Sequence, residues 1–205
     1  MKIGGKYLLG ALALSVFAVM LMAGCSQTTT SGGGGSGVAA DRTYFPNTDG
    51  YSWNYKMMMD GTREVSSQKF TFSGTTAVNG MTVQKWKMED VSGVNANTSE
   101  ALVMVSNSYV KMYGTVANPT TEATTAFVFP FNVGSHWTTN STFEAAVLAQ
   151  ENVTVPLGIY NNCYKIGSTS NNSIMWLAQN VGIVKMESSV NMNGVMHTIA
   201  LLLTS

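Results

Sequence analysis

Few residues in this chain have the type and spacing to do chemistry. Two histidines, His136 and His197, are its only side chains able to act as a base near neutral pH, and neither sits in a recognisable motif. There is no G-x-S-x-G, no H-E-x-x-H, no phosphate-binding loop and no carboxylate pair at a catalytic spacing. Met57-Met58-Met59, and Met192 with Met196 and His197, offer thioether and imidazole groups that suit copper. Adjacent residues of a strand face opposite sides, however, so Met58 cannot join Met57 and Met59. The methionines are therefore expected to fill an adaptable apolar core or line an apolar surface, with no metal, no cofactor and no catalytic residue. Cysteine contributes two residues, Cys25 and Cys163, too few for a disulfide scaffold or a four-ligand zinc module.

The first cysteine has a different chemistry. Residues 1–24 carry Lys2 and Lys6, then an apolar run from Tyr7 to Met22, then Ala23-Gly24 directly before Cys25. That layout is a secretory signal peptide. Leu21-Met22-Ala23-Gly24-Cys25 resembles the lipobox of bacterial lipoproteins, which implies that Cys25 is acylated and becomes the first residue of the mature chain. Ser26 follows in place of an aspartate retention signal, so in a cell with two membranes the outer one is the expected destination. Residues 25–42 then form a Gly/Ser/Thr-rich tether with an expected reach of about 20–25 Å. Cys163 is left without a partner and, within an alternating strand pattern, is expected to be buried.

Charge narrows the partners. The chain balances 11 basic against 11 acidic residues, with only 11% charged and 45% hydrophobic, which excludes an electrostatic nucleic-acid binder and a disordered chain. Both leader lysines precede Cys25, so the mature part is slightly acidic.

The elements that must position any site are strands. Asp60-Gly61, Asn79-Gly80 and Asn193-Gly194 are hairpin-turn pairs, each flanked by apolar/polar alternation. The pattern predicts about ten antiparallel strands in a meander, with 136–155 as one interrupted strand, 117–125 as a polar loop, and no amphipathic helix. An all-β fold follows, in the form of a curved sheet, half-barrel or barrel-like sandwich. Phe45-Pro46…Gly50…Trp53 recurs without a gap as Phe129-Pro130…Gly134…Trp137. This repeat divides the domain, residues 43–205, into two diverged units at 44–116 and 127–205.

The segments YFPNTDGYSWNY, VTVPLGIYNNCYKI and WLAQNVGIVKME together resemble a group of uncharacterised bacterial envelope lipoproteins. More distantly, the pattern is similar to the half-barrel of lipoprotein carriers, which hold acyl chains against a concave apolar face. The tethered address, the large curved sheet and the methionine and aromatic content point to a non-catalytic, membrane-anchored binding module with an apolar groove for a lipid, a hydrophobic peptide or an envelope protein. Trp53, Tyr55, Trp137 and Trp176 are the candidate aromatic binding surface, while Trp53 and Trp137, each at a strand start, are equally read as apolar anchors packed over the core end. The alternative is a structural lipoprotein that makes contacts through a sheet edge.

Overall fold

The computed structural model describes residues 41–92, 97–139, 143–168 and 172–205. The signal peptide, Cys25 and nearly all of the tether lie outside the described residues. A short 3-10 helix, Asp41–Tyr44, precedes twelve strands. These are β1 Ser52–Met59, β2 Arg63–Val78, β3 Met81–Asp90, β4 Thr98–Val105, β5 Tyr109–Thr115, β6 Pro119–Val128, β7 His136–Thr138, β8 Glu144–Val155, β9 Gly158–Ser168, β10 Ser173–Ala178, β11 Gly182–Met192 and β12 Val195–Leu203.

All twelve form one antiparallel sheet in the order β6-β5-β4-β3-β2-β1-β12-β11-β10-β9-β8-β7. Each half of the chain is a six-stranded meander, and the two meet where β1 pairs with β12, Tyr55 opposite Leu203. The outer strands β6 and β7 come back together, joined by the Thr125 N–H donating to the Thr139 carbonyl at 2.9 Å. The sheet is thus a nearly closed barrel, which leaves little of its edges unprotected.

The all-β antiparallel meander is as expected, with twelve strands where the pattern suggested about ten. The segment read as a polar loop, 117–125, is mostly β6, an edge strand whose first four residues are exposed. Threonine is a good strand former, and an edge strand facing water needs no apolar alternation. The interrupted strand 136–155 is two strands, β7 and β8, that pair with each other. Phe143–Gln150, rich in helix formers, lies almost wholly in β8, where pairing with β9 overrides propensity.

The three predicted turns have both central residues at positive φ, for example Asp60 at 51° and Gly61 at 71°. Along β1, alternate residues Trp53, Tyr55, Met57 and Met59 are buried inside the barrel. The two motif copies use the same backbone bonds. Gly50 N–H donates to Phe72 O and Phe72 N–H to Tyr51 O; Gly134 N–H donates to Val147 O and Val147 N–H to Ser135 O. Both glycines need the left-handed region, φ 81° and 89°.

The motif aromatics close one end of the barrel. Phe45 packs edge-on against Phe72 and Trp86 at 5.9 and 5.5 Å, and Phe131 against Tyr44 and Phe127 at 5.7 and 6.0 Å. We call this the entry end, because the described chain starts and finishes there. Asn180 N–H bonds Thr43 O, Asn54 N–H bonds Ser205 O, and Leu157 N–H bonds Leu203 O. The β1–β2 and β11–β12 turns mark the far end.

Candidate functional site

Beneath the aromatic plug the barrel is not completely filled. A cavity of about 70 Å³ lies behind the seam between β6 and the β7–β8 region. Val110 and Met112 of β5 and Thr124 to Phe127 of β6 form one wall. Ala145, Ile166, Met175 and Ile183, from β8 to β11, form the opposite wall, and Phe45 and Trp86 bound it from the plug. Thr125, Thr139, Phe143 and Ser168 line it at the seam. Alternation accounts for Val110 and Met112 on β5, whereas Thr124 to Phe127 all border the cavity beside a register shift that pairs Val110 with Phe127 but Lys111 with Thr125. The halves fill the interior differently. Trp53, Phe70, Phe72 and Trp86 form a packed aromatic block, while the smaller side chains of β8 to β11 leave space.

A chamber of this size is small beside the roughly 300 Å³ of ordinary small-molecule sites. Its lining is almost wholly apolar, the kind of void that stays dry and accepts an apolar guest. The strand at the seam is short: β7 has three residues, against ten in β6 and twelve in β8.

The four aromatic residues expected to form the binding surface occupy other places. All are buried, and none lines the cavity. Trp53 and Tyr55 point into the barrel and tie β1 to the start of β11. The indole N–H of Trp53 donates to Val181 O at 2.5 Å, and the Tyr55 hydroxyl to Ile183 O at 2.7 Å. Burial raises the Tyr55 hydroxyl well above its ordinary pKa of 10.0. Trp137 stacks on Phe131 at 6.5 Å beside the seam, and its buried indole N–H has no partner among the described residues.

Trp176 lies on the outer face, directly opposite Lys165 of β9 and Lys185 of β11. The two ammonium groups sit 5.2 and 4.6 Å from its rings, and its N–H donates to Glu151 Oε1 at 2.7 Å. That bond, followed by Lys165, holds the Glu151 carboxyl below its ordinary range. Lysine stems thus cover a tryptophan that would otherwise be an exposed apolar patch. Opposite charges placed across neighbouring strands were the signal, but only the register shows which ones meet.

Of the two histidines, His136 is exposed on β7. His197 Nδ1 lies 2.8 Å from Asp60 Oδ2 at the far end, and Asp60 Oδ1 accepts the Thr198 N–H at 3.0 Å. The His197 bond is the largest influence lowering the Asp60 carboxyl pKa. Neither residue lines the cavity, and among the described residues no serine or cysteine bonds to His197. The pair bridges the β1–β2 turn to β12. No cluster of metal-binding His, Cys, Asp or Glu occurs among the described residues.

Cys163 is fully buried in β9 and makes no disulfide among the described residues. Burial, and then Glu151, pushes its thiol up to about 11, which keeps it protonated and unreactive at neutral pH.

No family model and no curated protein matches the chain. Two solved structures have a similar course. A "putative lipoprotein" from Parabacteroides distasonis ATCC 8503 aligns over 79% of this chain and 97% of its own, with 15% identity and a TM-score of 0.46. A "putative exported protein with YmcC-like fold" from Bacteroides fragilis NCTC 9343 aligns over 78% of this chain and 96% of its own, with 15% identity and a TM-score of 0.45.

Proposed function

We propose that this chain is a lipid-anchored envelope protein that binds an apolar chain and carries out no catalysis. Cys25 is the acylated residue, and the cavity behind the β6–β7 seam is the binding site. The observation that carries the reading is the conjunction of an apolar void with a three-residue strand at the seam beside it. A slender acyl chain or an apolar peptide side chain suits a narrow chamber without charged groups, and the seam threonines could hydrogen-bond a polar head outside it. At about 70 Å³ the chamber admits only the end of an acyl chain, so a longer one must extend out past the seam.

Native mass spectrometry of protein extracted from membranes tests this. An acylated Cys25 and a retained lipid adduct are expected, with the adduct lost in Ala145→Phe, which fills the cavity. An unmodified Cys25 would remove the anchor, and wild-type protein without any adduct would remove the acyl-chain site.

A second reading, a structural role through a sheet edge, is favoured by β6. Its residues Pro119 to Glu122 are exposed and extend beyond the three residues of β7. Cross-linking from Thr121 to an envelope protein would support it.

A further inference from the structure

The two ends of the barrel differ in a way that bears on how the protein sits at a membrane. At the entry end, the β8–β9 turn presents Pro156, Leu157 and Ile159 to solvent, with Leu157 48% and Ile159 68% exposed. Val133, 59% exposed, lies in the β6–β7 connection at the same end. Between Thr154 and Tyr160 there is no charged residue. At the far end, Val195 and Met196 are comparably exposed but adjoin the Asp60–His197 pair.

Carboxylates are concentrated at that far end. They come from the β1–β2 hairpin (Asp60, Glu64), the finish of β3 (Glu89, Asp90) and the starts of β4, β6 and β8 (Glu100, Glu122, Glu144). Lys56 and Lys87 pair with Glu64 and Glu89, and Arg63 and Lys69 add two further cations, so this end with its seven carboxylates is still net acidic. Among the described side chains, Asp49 is the only carboxylate at the entry end. The chain leading back to Cys25 also departs from the entry end, since Thr43 is bonded to the β10–β11 turn.

We propose that the Pro156–Ile159 tip is a membrane-contact element, inserting its apolar side chains into the headgroup region of the bilayer that holds the anchor. The inference rests on the lipid-anchor reading above. A tether leaving from this end brings the tip to the bilayer, and burying Leu157 and Ile159 there is favourable. The carboxylate-rich far end is repelled by anionic lipid, so the two effects select one orientation. The far-end turn then points away from the membrane.

The test uses full-length protein purified from membranes and reconstituted into vesicles of phosphatidylethanolamine and phosphatidylglycerol. A polarity-sensitive fluorophore is attached at Ile159→Cys, with Leu157→Cys as a second tip position and Met196→Cys as the far-end control. Cys163 is buried and stays unlabelled. Brominated lipid is expected to quench the tip labels about twofold more than the control, with a blue-shifted emission only at the tip. Protein that fails to float with the vesicles overturns the anchor and the tip together. Protein that floats while the tip labels behave like the control overturns the tip alone.

Discussion

The same nine-residue pattern occurs twice, and its two copies end in different surroundings. Both make the same glycine-centred turn and the same pair of backbone bonds to a following strand. Trp53 then opens an eight-residue strand in the middle of the sheet, with its indole N–H bonded and its ring lying over Gly182. Trp137 opens a three-residue strand at the seam, and its indole N–H has no partner among the described residues. The third motif position differs as well. Asn47 exchanges hydrogen bonds with Gln84, whereas Phe131 joins the aromatic plug. The turn is thus a local property of the motif, while the stability its tryptophan contributes depends on what lies across from it.

The largest test of this contrast is truncation of each tryptophan. Trp53→Ala should cost about 3–5 kcal/mol, because it removes a buried ring and leaves Val181 O without its donor. Trp137→Ala should cost about 1–2 kcal/mol less, since no hydrogen bond is lost and the edge can relax. Urea unfolding of both variants measures the difference, and an equal or reversed order would break the comparison.

Gly182→Ala is next. Its φ is 94°, and an added Cβ would lie 3.0 Å from the Trp53 ring. A loss of about 1–3 kcal/mol is expected. Part of it should disappear in a Trp53→Phe background, where the ring is smaller, and strictly additive losses would show that the Gly182–Trp53 contact is not the cause.

A smaller effect, about 1 kcal/mol, is expected from Thr125→Pro, which removes the seam donor. Amide exchange should quicken in β6 and β7 and stay unchanged in β1 and β12. A uniform change over all strands would mean that the seam does not open independently.

The mildest test is alkaline titration. The Cys163 thiol is raised from 9.0 to about 11 in the folded state, so its contribution to stability is complete below about 9 and is lost as pH rises through about 11. Cys163→Ala should flatten this part of the pH profile. In the native protein at mildly alkaline pH, a thiol reagent should react only on unfolding; immediate reaction would show that β9 is already open.

Much of the strand plan is legible in the sequence. The Asp-Gly and Asn-Gly turns, the alternation along β1 and the repeated motif are local patterns, and local geometry suffices to read them. β6 was not legible, because a polar edge strand carries no period that distinguishes it from a loop. The cavity was not legible either. Met175 and Ile183 read as ordinary core residues, and only the pairing order brings them opposite Val110 and Met112 across the barrel. Trp176 read as one of four similar aromatics, yet register places it outside, between two lysines.

By itself the sequence determined the all-β class, the turns, the leader pattern ending in Cys25 and the absence of familiar catalytic motifs. These depend on residues within a few positions of one another. The tertiary structure decided that the sheet nearly closes, that its seam hangs on a short β7, and that the void lies behind it. It also decided that carboxylates gather at one end and the apolar turn at the other. Each of these depends on which distant strands become neighbours, and strand order is set by the burial of the whole interior.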